Sequence, residues 1–377
     1  MRVLIVSDCY APRLGGIETQ VRDLARNLLR HGHEPAVVTA TPAGTRRGRD
    51  VERPDGFPVF RTTVPLPAEL PVHPRARGEL TWLMEHLCPD VVHVHVGVVS
   101  PFAWPGVAAA RRCGVPTVIT FHCVLGGWSR AVGQLGGLSP VRLWQEAGAD
   151  LTAVSSMLAQ QVLRAGACEP VTVLPNGISL ADWHPGPSGE GRPPGAPLRV
   201  VASLRWIGRK RPLQVVRAFA EAVRRSGRRD AVLDVYGDGP LRHRLEQEVA
   251  RSGMAERITL VGRVDRPELA RAFAQADVYL QTSPADSFGI SVLEARTAGL
   301  AVVALGSSGV GDFIDHGVDG LLAEDDAGLA EALAGLMADP RRLERIKHHN
   351  RTVPPAPEWD SVTGMNVLAY RRAQARG

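Results

Sequence analysis

RVLIVS, residues 2–7, is a continuous apolar run of strand length near the start of the chain. A run without polar alternation is buried on both faces, which calls for a parallel sheet covered by helical crossovers. The next segment supplies such a helix: residues 16–31 place Ile17, Val21, Leu24, Ala25, Leu28 and Leu29 at helical spacing. Working outward, strands are expected at 36–39, 91–96, 117–121, 151–154 and 171–174, with helices near 77–87, 101–113 and 156–165. The Pro- and Arg-rich stretch 41–75 is assigned no element on this reading. PGPSGEGRPPGAP, residues 185–197, holds five prolines and four glycines in thirteen residues and reads as a linker. The alternation then restarts. Strands are expected at 198–203, 231–236, 257–261, 277–281 and 301–304, with helices at 211–225, 240–251, 267–275 and 287–299. Helical patterns follow near 327–337 and 340–348, and Trp359, Val362, Met365, Val367, Leu368 and Tyr370 space out like a docked terminal helix. The expected architecture is α/β: two doubly wound, Rossmann-like domains at 1–184 and 198–354, facing each other across a cleft, with ligands at the strand C-termini.

Composition agrees with that plan and excludes others. A length of 377 residues fits two domains of roughly 150 each. Hydrophobic residues are 44% and charged residues 22%, ordinary for a globular chain. No apolar run approaches the roughly 20 residues of a membrane span, and no leader pattern precedes the first strand. The five cysteines (Cys9, Cys88, Cys113, Cys123, Cys168) show neither metal-ligand spacing nor an even disulfide set, which points to a reducing cytoplasm. Of 44 cations only Lys210 and Lys347 are lysines; the net charge is +5. The arginines are scattered and aromatics are 5%, a pattern that speaks against nucleic acid, while peripheral contact with an anionic membrane face is left open. Two lysines also leave little room for Schiff-base chemistry.

Four constellations could carry chemistry. Gly15-Gly16-Ile17-Glu18 opens the first helix directly after the first strand, where backbone N–H groups can meet an anion, or simply turn the chain. Arg205 and Lys210 flank the loop after the first strand of the second half; five residues apart, they can clamp a diphosphate or form a solvated basic turn. Asp286-Ser-Phe-Gly-Ile-Ser-Val-Leu-Glu294 follows the strand ending near Gln281. There Asp286 is placed as an N-cap, the N–H groups of Phe288, Gly289 and Ile290 head a helix, and Glu294 can accept from ribose hydroxyls or stand on an exposed face. Finally, His122 follows an apolar strand and is expected at its C-terminus, whereas His93 and His95 alternate on one face of 91–96 and fit a satisfied core. Gly237-Asp-Gly-Pro240 and Ser307-Ser-Gly-Val-Gly-Asp312 are further glycine turns. No Walker loop, Ser-His-Asp order, H-E-x-x-H helix or G-x-G-x-x-G is present.

Taken in order, these residues resemble a known family. Asp8-Cys-Tyr-Ala-Pro12, Gly15-Gly16-Ile-Glu18, Gly32-His33, Asp90-Val-Val-His-Val-His95, Thr120-Phe-His122, Val154-Ser-Ser156 and Pro175-Asn-Gly-Ile178 resemble the acceptor half of retaining family-4 glycosyltransferases of the GT-B fold. Arg205 and Lys210, Gly237-Asp-Gly-Pro240, Asp286-Ser-Phe-Gly289 with Glu294, and Gly317-Val-Asp-Gly-Leu-Leu322 resemble its nucleotide-sugar half. The resemblance implies that Arg205 and Lys210 bind the donor diphosphate with help from the backbone at Gly15–Gly16. It further implies that Glu294 binds the ribose and that Asp286, with the 288–290 backbone, binds the donor sugar. By the same token His122 lies near the transferred sugar, no metal or resident cofactor is needed, and residues 355–377 return to the first domain. The donor would be a nucleoside-diphosphate sugar, UDP- or GDP-linked, and the acceptor a small or lipid-linked molecule. Asp286 stands where the family usually has Glu, Leu204 where a Gly commonly precedes the arginine, and Asp312 replaces another frequent Glu.

Rival readings on the same residues are a sugar-nucleotide epimerase or hydrolase, a non-catalytic sugar-nucleotide-binding protein and a dinucleotide oxidoreductase. The glycine-rich segment 124–138 is expected to be mobile and to shape the acceptor side or touch lipid.

Overall fold

The computed structural model describes residues 1–13, 15–43, 48–64, 72–184 and 196–376. Residues 185–195, most of the expected linker, lie outside the described residues. The chain divides into two compact units: Met1–Gly177 together with Trp359–Gly377, and Ile178–Glu358. The contacts thus assign residues 178–184, which sequence reading places in the first domain, to the second unit.

The first unit runs β1 (Arg2–Ser7), α1 (Gly16–Arg30), β2 (Glu34–Thr39), β3 (Gly48–Glu52), β4 (Val59–Thr63), α2 (Ala76–Leu87), β5 (Val91–Val96), α3 (Ala103–Arg112), β6 (Thr117–Phe121), α4 (Gly127–Gly133), α5 (Pro140–Glu146), β7 (Asp150–Ala153), α6 (Ser156–Arg164) and β8 (Thr172–Val173). Its sheet has the order β3-β4-β2-β1-β5-β6-β7-β8, parallel except for the β3–β4 pair. Two of these strands fall in the Pro- and Arg-rich stretch where sequence reading expected none. The signal was the β-branched and aromatic residues of Val59–Thr63, interrupted by Arg61, whose charge hides its strand character; Arg61 is buried and bonded to Glu52, Thr41 O and Ala11 O. Segment 124–138, expected to be mobile, contains α4 and a 3-10 turn at Gly136–Leu138. The C-terminal helix, Trp359–Arg376, contributes Trp359, Val362, Ala369, Tyr370 and Ala373 to the same core as Val3, Ile5, Leu24 and Val118. Gly177 is needed here: a Cβ on it would lie 2.4 Å from Trp359 Cδ2.

The second unit runs α7 (Leu180–Trp183), β9 (Arg199–Ser203), α8 (Pro212–Ser226), β10 (Val232–Tyr236), α9 (Arg242–Ser252), β11 (Ile258–Gly262), α10 (Arg266–Ala274), β12 (Val278–Gln281), α11 (Ile290–Thr297), β13 (Ala301–Leu305), β14 (Gly320–Ala323), α12 (Asp326–Ala338) and α13 (Pro340–Thr352). All six strands are parallel in the order β11-β10-β9-β12-β13-β14. Renumbered from its first strand this is 3-2-1-4-5-6, the Rossmann order, whose switch point falls between β9 and β12. Pairing of those two strands stops at Tyr279↔Val201. Beyond it they splay, and the buried Tyr279 hydroxyl donates to Ser203 O at 3.0 Å in place of a ladder bond. The equivalent reversal in the first unit lies between β1 and β5. No helix among the described residues is long and apolar enough to cross a membrane.

Candidate functional site

At the switch point of the second unit, the segment leaving β9 is fixed on both sides of Arg205. Leu204 N–H donates to Tyr236 O at 3.1 Å, and Trp206 N–H donates to Asp238 O at 2.9 Å. Trp206 is fully buried, with the Arg242 guanidinium 4.7 Å above its ring. Gly237 and Gly239 allow this approach. A Cβ on Gly237 would lie 1.9 Å from Leu204 O, and one on Gly239 would lie 2.6 Å from Trp206 O. The Gly237-Asp-Gly-Pro240 turn is therefore a backbone bed for the Arg205 segment. Arg205 itself projects as an exposed side chain, with no ion pair among the described residues.

Lys210 ends a 3-10 turn at Gly208–Lys210, ahead of Arg211 at φ 56° and Pro212 in the first turn of α8. Side chains lace this loop to the one after β12. Thr282 Oγ1 donates to Arg211 O at 3.1 Å, and Ser283 Oγ to Arg209 O at 3.2 Å. Lys210 Nζ donates to Asp286 Oδ2 at 2.8 Å, each side chain 19% exposed. Asp286 is thus not the N-cap that its position suggests. Gly289, at φ 93°, precedes α11, and no side chain caps it. Val292 N–H donates to Gly289 O at 2.9 Å, so the N–H groups of Ile290 and Ser291 at the head of α11 are the ones that remain for a ligand. Phe288 is buried against Phe313, so it can offer a ligand only backbone. Gly289 and Gly309 seat the Ser307–Asp312 turn on this loop: a Cβ on Gly309 would lie 2.2 Å from Ser287 O. Glu294 is buried, not on an exposed helix face, and Arg266 Nη2 at the start of α10 lies 3.3 Å from its Oε1. Arg266 is an addition to the site; 28 residues away in sequence, it carries no local signal that singles it out.

In the first unit, Gly15 precedes α1 in extended backbone with no side-chain cap. The carboxylate of Glu18 folds into the space beside it: a Cβ on Gly15 would lie 2.3 Å from Glu18 Oε2. Glu18 is buried and stands 3.6 Å from Arg13 Nε. This helix start therefore already carries an anion of its own, while Gly16 has open space before it. At the end of β6, His122 donates its backbone N–H to Val96 O and is buried. Its Nε2 lies 2.7 Å from His95 Nδ1. His93 is a core histidine between Tyr370 and Thr120. Burial pushes His122 down to about 4 and His93 to about 3, and carries His95 well below its usual value, so all three are neutral at pH 7. Both lysines are ion-paired; Lys347 meets Asp277 at 2.6 Å, just before β12 starts and away from the switch point. Among the described residues no group of three or more His, Cys, Asp or Glu is placed to hold a metal ion.

Two Rossmann-like domains, one with an exposed arginine, a lysine and an uncapped helix start at its switch point, define a doubly wound α/β class, in which ligands bind at strand ends. Comparison with known proteins narrows the class. Residues 14–182 match the Glycosyltransferase Family 4 model and residues 198–339 match Glycosyl transferases group 1. Similar curated proteins include a glycogen synthase of Mycobacterium tuberculosis, 28% identical over 99% of this chain and 95% of that protein. A GDP-mannose-dependent alpha-mannosyltransferase of Mycolicibacterium smegmatis is 28% identical over 91% of this chain and 90% of that one. Among solved structures, HepE of Anabaena in complex with UDP superposes with a TM-score of 0.77 at 17% identity, covering 98% of this chain and all of that one. The chain belongs to the family-4 glycosyltransferases and has their GT-B fold.

Proposed function

We propose that the protein transfers a sugar from a nucleoside-diphosphate sugar to a small or lipid-linked acceptor, with retention of anomeric configuration and without a metal. The observation that carries this reading is the second unit's switch point: an exposed Arg205 and a half-buried Lys210, paired with Asp286 ahead of the uncapped start of α11, with the buried carboxylate of Glu294 in the same helix. The departing nucleoside diphosphate gains negative charge, and fixed cations with a helix N-terminus stabilise that charge in place of a divalent ion. Arg205 and Lys210 take the diphosphate, aided by the backbone at Gly16, since the Glu18 carboxylate already occupies the space beside Gly15. Glu294 accepts from the ribose hydroxyls. Asp286 and the backbone of Phe288, Gly289 and Ile290 hold the donor sugar. His122, neutral at its strand end, meets the transferred sugar through Nδ1, which has no partner among the described residues. Retention rests on family membership. GDP-mannose in the name of one relative and UDP in the HepE complex support a GDP or UDP donor. Exposed Trp128, Leu135 and Leu138 support an apolar acceptor or a peripheral membrane contact on the first domain.

A thermal-shift panel of UDP, GDP, ADP and dTDP tests the donor site. A ligand at 100 times its dissociation constant adds about 2.7 kcal/mol of stability. UDP or GDP is expected to stabilise the protein; no response to any of the four would overturn the reading. Incubation with the matching nucleotide sugar alone separates transfer from the epimerase or hydrolase alternative, because those activities need no acceptor.

A further inference from the structure

Two hydrogen-bonded chains run through the interior of the first unit, and the direction of one is fixed. Thr152 Oγ1 donates to Ile119 O at 3.2 Å, so it accepts from Thr120 Oγ1 at 2.6 Å. Thr120 then has no hydrogen left for His93 and accepts from His93 Nε2 at 2.7 Å. His93 Nδ1 accepts from the Tyr370 hydroxyl at 2.9 Å. Every donor and acceptor of this chain is satisfied. The second chain is incomplete. His95 Nδ1 and His122 Nε2 share one hydrogen bond of 2.7 Å, yet His95 Nε2 is buried with no partner. His95 lines a cavity with about 20 Å³ of room for water, alongside Gln20, His122, Asn176 and Asn366. That is room for a water, in polar surroundings.

We propose that His95 is a positioning residue for the transfer step: it holds His122 through Nδ1, and a water in the cavity, bound at His95 Nε2, fixes the tautomer that His122 presents to substrate. The proposal rests on the reading of His122 as the histidine beside the transferred sugar. A neutral imidazole carries one N–H, so a single proton bridges the two rings and the outer nitrogens are complementary. When His95 Nε2 is protonated, His122 Nδ1 is bare, and the reverse. One cavity amide favours the first arrangement. Asn366 Nδ2 donates to Val362 O, which leaves its oxygen to accept from the water, while Gln20 is held at both ends by Gly177, donating from Nε2 to Gly177 O and accepting at Oε1 from Gly177 N–H. The water then accepts from His95 Nε2–H. His122 Nε2–H donates to His95 Nδ1, and His122 Nδ1 becomes an acceptor for a sugar hydroxyl. Burial keeps both rings neutral, so the arrangement persists across physiological pH.

The test is two-bond ¹H–¹⁵N correlation on the full-length protein labelled at histidine nitrogens, with His122 assigned by its absence in His122→Ala. His122 is expected as a single tautomer, Nε2 protonated and Nδ1 bare, between pH 6 and 8. His95→Phe removes the bridge and is expected to give mixed tautomers, with kcat down at least about tenfold and donor KM within about twofold. His95→Asn places an amide where Nδ1 stood and is expected to restore the single tautomer and most of kcat. Averaged tautomers in the wild type, or an unchanged His122 signal in His95→Phe, would overturn the proposal. Failure of the underlying reading looks different: His122→Ala would turn over normally, which removes the catalytic half, while the wild-type spectrum still judges the coupling.

Discussion

Lys210 and Asp286 were read from the sequence as separate groups, one for phosphate and one for sugar; in the structure they neutralise each other at 2.8 Å. A donor phosphate must therefore compete with Asp286 for Lys210. Asp286→Asn is expected to tighten free nucleoside-diphosphate binding by about 0.5–1 kcal/mol, the range for a partly exposed ion pair, while slowing turnover of the nucleotide sugar. Calorimetry showing weaker nucleotide binding in that variant would refute the competition. The contact joins residues 76 apart, so nothing in local spacing could have shown it. The same holds for His95 and His122, 27 residues apart on adjacent strands. What sequence did carry was residue type at a strand end: His122 and Arg205 stand next to β6 and β9 because apolar runs stop there. The histidine cluster also ties stability to pH. His93 and His122 have folded values of about 3 and about 4, below the ordinary 6.5. The unfolded chain therefore binds more protons as pH falls below 6.5, and stability declines from there toward pH 4, by on the order of 1–2 kcal/mol per histidine at pH 5. Urea midpoints measured from pH 7.5 to 5 are expected to fall, and to fall less in His93→Gln; a flat profile would contradict the burial of these rings.

Between residue and domain, the turns decide where the side chains stand. Gly237 and Gly239, at φ 127° and 158°, let the turn after β10 press against the backbone on each side of Arg205. Gly237→Ala would place a Cβ 1.9 Å from Leu204 O, so the Arg205 segment must shift. A loss of about 1–3 kcal/mol in stability is expected, together with weaker nucleotide binding, although Gly237 has no side chain to offer a ligand. Unchanged binding in a folded Gly237→Ala protein would show that Arg205 does not depend on this bed. Sequence reading found these elements where period and apolarity agree, as in β1, β5 and α8, and misjudged them where charge or glycine masks the pattern. Arg61 hid β4, and an N-cap was assigned to Asp286 because the left-handed turn at Gly289 delays the helix to Ile290.

At the scale of the whole molecule, the two units have different cores, and the C-terminal helix belongs to the first. Its Tyr370 closes the His93 chain, and Trp359, Val362 and Ala369 fill that core. Removing residues 359–377 is expected to unfold the first unit, lost to circular dichroism and protease resistance, while the second keeps a cooperative transition that UDP or GDP raises. A truncated protein with both transitions intact would show that the helix is dispensable. The division also separates the candidate roles: Arg205, Lys210, Asp286 and Glu294 lie in one unit and His122 in the other. The most direct test is one calorimetric series, titrating UDP and GDP into the wild type, Arg205→Ala, Lys210→Ala and His122→Ala. The expected result is a loss of about 1.5–3 kcal/mol in each cation variant, the range for hydrogen bonds to charged groups, with His122→Ala binding within about twofold of the wild type while its transfer rate drops about a hundredfold. Wild-type affinity in both cation variants would contradict the assignment of the nucleotide site.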